Sequence, residues 1–262
     1  MDIDLNADLG EGFGPWRMGD DEALLGVVSS ANVACGFHAG DPVIMERTIR
    51  IAGARGVDIG AHVGFPDRQG FGRRVMQIDA GELAAMVTYQ LGALGGMARA
   101  AGQRMTHMSF HGALGNLVAA DAALAAVLVR AVAAYDPALI ISSSSSLAIE
   151  GAAAENGLRV ATAFLADRAC DDAGLLVPRR VPNSVIHDEA AVLARVRQLL
   201  ADGTVTTWSG KLIAMRPRSI LVHGDTPGAL ALARSLRSEI EGAGGRIVPI
   251  SQQLAEQGAA QT

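Results

Sequence analysis

The sequence has few cysteines and almost no lysine. Its two cysteines, Cys35 and Cys170, are too few for a disulfide framework or a cysteine-based zinc cluster. Lys211 is the only lysine among 22 basic residues, and it falls in a predicted hairpin turn, "WSGKL", where a charge is normally exposed. Arginine binds carboxylates and phosphates through a fixed fork but does not act as a proton-transfer base or Schiff-base amine. Lysine chemistry would therefore depend on one residue.

An excess of positive charge and long apolar runs are also missing. The formal net charge is −5, so no basic surface suggests nucleic acid or anionic lipid as a partner. Arginine, aspartate or glycine interrupts each apolar run before the roughly 20 residues that a membrane span needs. Asp2 and Asp4 replace the basic segment that opens a signal peptide. We therefore expect a cytoplasmic protein that binds neither nucleic acid nor membrane.

No linker, composition shift or phosphate-binding P-loop motif interrupts the chain. Its 262 residues are 50% hydrophobic, which is enough for a large core, and the length suits one α/β domain as well as two small ones. Because nothing divides the sequence, we predict one domain covering residues 1–262.

Short apolar runs alternate with longer helical patterns along the whole chain. The predicted strands are "IDLN", "ANVACGFH", "VDIGAH", "MTHMSFH", "ALIISSS", "RVATAF", "SILVHG" and "RIVPI". The predicted helices cover residues 20–30, 41–56, 79–101, 121–134, 146–156, 188–202 and 227–242, and "TVTTWSGKLIAM" is a predicted hairpin. Regular repetition of a strand followed by a helix predicts a parallel sheet, either open or closed into a barrel.

Four of the six histidines stand at the C-terminal end of a predicted strand, and glycine or alanine follows closely in each case. They are His38, His62, His111 and His223. Asp8 holds the same place after the first strand. In a β/α barrel these strand ends surround one mouth, where side chains from different strands converge on an active site. The shared position favours a closed barrel over an open sheet.

The first strand alternates Asp4, Asn6 and Asp8 with apolar residues, so its polar side chains share one face. We predict that this face points into the barrel and that its C-terminal end faces the pocket. Two arginine-bearing loops, residues 64–74 and 165–180, follow strands at the same end. We predict that they can hold a carboxylate or phosphate there.

The motifs resemble those of the LamB/YcsF family, also known as the A subunit of 5-oxoprolinase. The resemblance rests on "DLNADLGEGFGPWRMGDD", "SANVACGFHAGDP", "GAHVGFPDRQGFGRR", "HGAL", "ADRA", "LVPR" and "VHGDTPGA", in this order from residue 4 to about residue 230. It implies an irregular, TIM-like β/α barrel of the glycoside hydrolase/deacetylase type. It also implies a part in ATP-dependent, nucleotide-binding opening of the 5-oxoproline lactam to glutamate, together with two partner subunits.

The resemblance implies a set of pocket residues as well. Carried over by position, they are Asn6, Asp8, Glu11, His38, Asp41, His62, Asp67, Arg73, His111, Arg168, His223 and Asp225. Among them, His62 and His111 are the candidates for proton exchange and Asp8 for orienting an imidazole. The others, with Ser109, are the candidates for substrate binding, and Arg73 or Arg168 would hold anionic groups.

The chain departs from the family pattern at four positions. Ser109 stands where the family usually has lysine, Gly115 and Cys170 where it has tyrosine, and Val63 where it has proline. A lost cation, two lost phenols and a larger cavity favour a bulkier lactam or a related cyclic amide, or a weakened activity.

Two other functions compete with this prediction. Asp8 together with two of His38, His62, His111 and His223 would supply the three ligands of a catalytic divalent metal, as in a hydrolase or deacetylase that works alone. Alternatively, the departures at Ser109 and Gly115 favour a binding subunit with weakened catalysis.

Overall fold

The computed structural model describes residues 1–259, with side chains described as far as residue 255. Residues 260–262 of the predicted domain lie outside the described part. The strands, in chain order, are β1 (Asp2–Leu9), β2 (Ser30–Ala34), β3 (Asp58–Val63), β4 (Met105–Phe110), β5 (Ile140–Ser143), β6 (Arg159–Leu165), β7 (Thr204–Thr206), β8 (Leu212–Ala214), β9 (Ser219–His223) and β10 (Arg246–Ile247).

Seven parallel strands close into a barrel. Their order is β1, β2, β3, β4, β5, β6 and β9, and β9 pairs back onto β1 with Asp8 opposite His223. The predicted α/β fold, an irregular barrel, is confirmed, and the open sheet is excluded. Because the strands are parallel, their C-terminal ends form one mouth.

Three short strands lie outside the seven-strand barrel. β7 and β8 form the predicted antiparallel hairpin, and Lys211 is exposed in its turn as expected. β10 is much shorter than the predicted strand "RIVPI". It pairs with the N-terminal end of β1, where Asp2 lies opposite Arg246 and Ile3 opposite Ile247. Pro249 then interrupts the extended chain, because it has no N–H for a strand ladder.

Helices surround the barrel. They are α1 (Asp21–Leu24), α2 (Pro42–Ala54), α3 (Ala80–Ala100), α4 (Gly112–Ala120), α5 (Ala122–Tyr135), α6 (Leu147–Glu155), α7 (Glu189–Asp202), α8 (Ala229–Gly242) and α9 (Ile250–Ala259). The predicted starts of α2, α3, α5 and α6 agree with side chains that cap them. Asp41, Asp79, Asp121 and Ser146 each accept a hydrogen bond from a backbone N–H of the first turn.

Three helical regions differ from the sequence prediction. The helix predicted over residues 20–30 ends at Leu24, because Val27 and Val28 are buried in the core and Ser30 already belongs to β2. Helix α4 was not predicted: it starts directly after β4, and His111 precedes it without a side-chain cap. Helix α9 was also missed, because no element was predicted after the strand "RIVPI", whose last residue begins this helix.

The face of β1 that points into the barrel is polar, whereas the opposite face of the same strand is apolar. Ile3, Leu5, Ala7 and Leu9 belong to the hydrophobic core between strands and helices, where burial of a leucine contributes about 1.5–3 kcal/mol. The prediction that the alternate face points inward is confirmed, because its side chains bond to residues of other barrel strands. Asp8 lies within β1 and not, as predicted, just past it.

Among residues 1–259, no single helix is both long and apolar enough to cross a membrane. Only α4 and α5 taken together pass a test of length and composition, and they meet at an angle of 115°.

Candidate active site at the barrel mouth

Side chains from four strands meet in one cavity at the C-terminal mouth. Asp8 comes from β1, His62 from β3, Ser109 from β4 and His223 from β9, and His111 follows β4 directly. All five residues are at most 7% exposed. The cavity contains about 680 Å³ of space not occupied by protein atoms, part of it open to solvent. The topology alone explains this convergence, since each residue lies at the same end of the barrel.

A directional hydrogen-bond chain connects Ser109, His62 and His111 to a backbone carbonyl. His111 Nε2 is 2.8 Å from the carbonyl oxygen of Phe71, which only accepts, so this nitrogen carries the proton. His111 Nδ1, 2.9 Å from His62 Nε2, then accepts from it. His62 Nδ1 in turn accepts from the Ser109 hydroxyl at 2.7 Å. One carbonyl therefore determines both tautomers in the neutral chain.

Asp8 supplies a negative charge beside this chain. Its Oδ2 lies 3.5 Å from His62 Nε2 and 4.0 Å from His223 Nε2, and Asn32 donates to its Oδ1 at 2.8 Å. Burial opposes ionisation, but His62, His223 and the Asn32 hydrogen bond outweigh it and hold the pKa of Asp8 well below its ordinary value. Asp8 is therefore a carboxylate that can stabilise a transient imidazolium.

His223 is oriented by a carboxylate that the sequence did not single out. Its Nδ1 is 2.9 Å from both oxygens of Asp167, so Nδ1 donates and Nε2 faces Asp8 and the cavity. Burial would raise the pKa of Asp167, but His223 and then Arg179 and Arg168 hold it below its usual value. An ionised Asp167 fixes the tautomer of His223.

Glu11 and His38 lie behind the cavity as a buried pair. His38 Nε2 is 3.2 Å from Glu11 Oε1, and the His38 ring stacks on His111 with centroids 3.8 Å apart. The distance permits a salt bridge, but burial lowers the pKa of His38 and of His111 and raises that of Glu11. We therefore interpret the pair as a neutral hydrogen bond, which is also compatible with two stacked imidazoles. His38 was predicted at the end of a strand, but β2 ends at Ala34 and His38 lies in the following loop.

The glycine-rich loop after β3 closes over the histidines. Phe71 has a φ of +53°, rare for a residue with a side chain, and this conformation directs its carbonyl at His111. Gly72 follows with a φ of +61°, and a Cβ there would lie 2.7 Å from both His38 and His111. Arg73 pairs with Asp225 at 2.8 Å across the mouth. The loop thus positions both an imidazole and a guanidinium.

The structure separates the predicted substrate-binding residues into three groups. Arg73, Ser109, Arg168 and His223 line the cavity. Glu11, His38 and Asp225 contact residues that do, and Asn6 contacts Asn32, which in turn holds Asp8. Asp41 and Asp67 do neither, so the geometry does not favour their predicted contact with substrate. Asp41 caps α2 and accepts from Gly14, and Asp67 is bound by Arg74 and the Gly70 N–H.

Several residues at the mouth were missed from the sequence. Asp167, Arg179, Ser142 and Asn116 are the main examples, the last three lining the cavity. Asp167 and Arg179 stand within the quoted motifs "ADRA" and "LVPR", which was a usable signal. Ser142 had none, because the serine run suggested only a loop.

The departures from the family pattern have different structural consequences. Val63 and Cys170 belong to the hydrophobic core, so they do not enlarge the cavity as predicted. Gly115 does line it, but a Cβ there would lie 2.5 Å from the carbonyl oxygen of Phe110. A side chain at this position therefore requires a backbone shift. Among the four departures, Ser109 is therefore the one that changes a cavity-lining group and needs no backbone shift to restore the family residue.

One cluster has the chemistry of a metal site. Ligand atoms of Glu11, His38, His62 and His111 lie within 4.8 Å of one another, and all four residues are buried. Three imidazoles and a carboxylate suit a divalent transition metal, and Ser109 and Phe71 would bond the outward nitrogens of His62 and His111. This set contains Glu11 in place of the predicted Asp8 and His223.

Comparisons with known proteins agree on one family. The model of the LamB/YcsF family matches residues 3–255. A relative from Ralstonia nicotianae, named as 5-oxoprolinase A subunit 2, is 71% identical over 254 residues, which cover 97% of this chain and 98% of that protein. The crystal structure of a lactam utilization protein from Thermus thermophilus is similar with a TM-score of 0.88 at 38% identity, covering 95% of this chain and 100% of that one. Peptidoglycan deacetylase PdaC from Bacillus subtilis shares the fold alone, with a TM-score of 0.52 at 13% identity over 99% of this chain and 93% of that one.

Proposed function

The chain belongs to the LamB/YcsF family, and from this premise we propose that it is the barrel subunit of a multi-subunit, ATP-dependent 5-oxoprolinase. The names of these relatives support lactam utilization and a subunit role. We propose two partner subunits and a cyclic amide as substrate. The observation that carries the proposal is the hydrogen-bond chain from Ser109 through His62 to His111, with ionised Asp8 beside it.

A lactam such as 5-oxoproline is difficult to open in water. Its carbonyl is a poor electrophile, its nitrogen is a poor leaving group, and the open five-membered ring tends to close again. Phosphorylation of the amide oxygen by ATP would activate the ring carbon toward water, so that the C–N bond can break. The subunit must then provide a base for water, an acid for nitrogen and cations for negative charge.

The residues of the mouth divide these tasks. As water attacks the activated carbon, it gives a proton to the Ser109 oxygen while the Ser109 hydroxyl passes its own proton to His62 Nδ1, and His62 releases its Nε2 proton to His111 Nδ1. The proton gained by the imidazoles is the one that the ring nitrogen needs when the C–N bond breaks. Asp8 stabilises the imidazolium that exists between these two transfers, and His223 offers Nε2 to the substrate from the other side. Arg168 holds an anionic group of the reactants, whereas Arg73 is paired with Asp225 at the mouth.

Reconstitution tests this proposal. The purified chain, its partner subunits and ATP should convert 5-oxoproline to glutamate, whereas the chain alone should neither hydrolyse ATP nor open the lactam. The sequence contains no P-loop motif, which supports nucleotide handling in the complex. Steady ATP turnover by the chain alone, abolished by His111→Ala, would show that the division of labour is wrong.

A metal-dependent hydrolase is the second candidate, favoured by the Glu11, His38, His62 and His111 cluster. Elemental analysis of protein purified without added metal distinguishes the two candidates. Near-stoichiometric metal that is lost in a His38→Ala, His62→Ala double variant would favour the second. Metal-free protein that is active in the complex would favour the first.

A further inference from the structure

The cavity has a positively charged side that the acid–base residues do not explain. Three of its lining residues are arginines, Arg73, Arg168 and Arg179. Asp225 neutralises Arg73 through an ion pair of 2.8 Å. In the described part of the chain, no ion pair with a carboxylate involves the other two, and the nearby Asp167 hydrogen-bonds to His223. Arg168 and Arg179 thus leave positive charge for a ligand.

Arg168 is fixed and points one nitrogen away from its protein partners. Its Nε donates to the Ser184 carbonyl at 3.1 Å and its Nη2 to the Val177 carbonyl at 2.6 Å. Within residues 1–259, Nη1 has no hydrogen-bond partner. Burial, followed by the neighbouring Arg179, lowers the pKa of Arg168 to about 10, so the guanidinium remains charged at neutral pH. A guanidinium held in this way is ready to bind an oxyanion without further ordering.

Ser142 provides an independent observation. It is 2% exposed, it lines the cavity from β5, and its hydroxyl has no partner in the described structure. Buried hydroxyl groups are normally hydrogen-bonded, so an unpartnered one in a cavity indicates a missing polar ligand. A hydroxyl that lines the same cavity as two guanidinium groups suits a carboxylate, because the two oxygens of a carboxylate accept several hydrogen bonds at once.

We propose that Arg179, Arg168 and Ser142 form an anion subsite that binds the carboxylate of a lactam acid. This inference rests on the proposed function, because 5-oxoproline carries its carboxylate on the ring carbon next to nitrogen, across the ring nitrogen from the reacting carbonyl. His62 and His111 come from the β3 and β4 region of the cavity, whereas the subsite comes from β5 and the loop after β6. Arg179 then determines specificity: it selects lactams with a carboxylate over neutral ones.

Calorimetric titration of the reconstituted complex tests the subsite with three probes: 5-oxoproline, 2-pyrrolidinone, which lacks the carboxylate, and inorganic phosphate. Arg179→Leu should weaken 5-oxoproline binding about 10- to 100-fold, the loss expected for a hydrogen bond to a charged group. Binding of 2-pyrrolidinone should stay unchanged. Arg180→Leu, at the adjacent exposed position, is the matched control and should leave both affinities unchanged. Ser142→Ala should weaken 5-oxoproline binding to a smaller extent.

Three results would overturn the inference: equal 5-oxoproline affinity in wild type and Arg179→Leu, equal losses for both lactams, or Arg179-dependent binding of phosphate but not of 5-oxoproline. The last would assign the subsite to a phosphoryl group.

Measurement of 5-oxoproline turnover distinguishes failure of this inference from failure of the proposed function. If wild type turns over 5-oxoproline and Arg179→Leu does so with an unchanged KM, the subsite alone is wrong. If wild type binds 5-oxoproline through Arg179 but never opens it, the subsite is right and the proposed reaction is wrong.

Discussion

Replacement of Asp4 by asparagine should change how the stability of the protein depends on pH. Asp4 lies in the N-terminal half of β1 and is fully buried. It accepts hydrogen bonds of 2.6 Å from Ser29, Ser30 and Ser219. Burial raises the pKa of its carboxyl to about 7; the three hydroxyl groups oppose this effect, and the charge of Asp58 adds to it. The folded protein therefore binds a proton that the unfolded chain releases at lower pH.

The sign and the size of the effect follow from linkage. A raised folded-state pKa contributes stability that is fully present below the unfolded value of 3.8 and is lost as pH rises through about 7. Each pH unit in that window lowers the free energy of unfolding by about 1.4 kcal/mol. From pH 5 to pH 8 the wild type should lose about 3 kcal/mol through this group. An asparagine side chain at this position resembles the protonated acid and does not titrate.

Urea unfolding of both proteins at pH 5 and pH 8 measures the difference. Asp4→Asn should gain about 3 kcal/mol relative to wild type on going from pH 5 to pH 8. Asp2→Asn is the matched control on the same strand: Arg246 lowers the pKa of Asp2, so its contribution changes only in acid. Parallel pH profiles for wild type and Asp4→Asn would refute the reasoning, because Asp4 would then be ionised throughout.

Three further changes test other parts of the structure. Ser109→Lys alone, without a side chain at Gly115, should raise kcat for 5-oxoproline in the complex about 10-fold, because it restores the family's cation beside His62 Nδ1 in a desolvated site. An unchanged or lower kcat would show that the lost cation does not limit the reaction of 5-oxoproline. Gly60→Ala should destabilise the fold by about 1–3 kcal/mol in urea unfolding, because its Cβ would lie 2.2 Å from the His107 ring, whereas Gly96→Ala in α3 meets no atom within 4 Å and should be neutral or stabilising. Equal stabilities of the two alanine variants would contradict the packing inside the barrel.

The sequence predicted the barrel well because its signals were local and periodic. Alternation along β1 indicated a polar inner face, and the strand-end positions of His62, His111 and His223 indicated a common mouth. Capping residues such as Asp79 marked helix starts. These features depend on neighbours in the chain, so a single sequence contains them.

The remaining features depend on contacts between distant segments. The Phe71 carbonyl sets the histidine tautomers because of the conformation of its loop, which the sequence does not reveal. Asp167 orients His223 through a contact between residues 56 positions apart in the chain. Helix α4 was missed because Gly112 and Gly115 lower helix propensity, which tertiary packing against β4 and α5 overrides. Asp41 and Asp67 were grouped with the pocket through family motifs, although their carboxylates bind other parts of the chain.

The kcat of the reconstituted complex carrying His62→Gln tests the central proposal most directly. Glutamine can keep hydrogen bonds to Ser109 and His111 but does not transfer protons, so the proton chain is broken while the contacts of the site are kept. General acid–base catalysis contributes about 10²- to 10⁴-fold, and 5-oxoproline turnover should fall within this range. His187→Gln, at an exposed position that does not line the cavity, should retain wild-type kcat. Wild-type turnover by the His62→Gln complex would contradict a catalytic role for this barrel mouth.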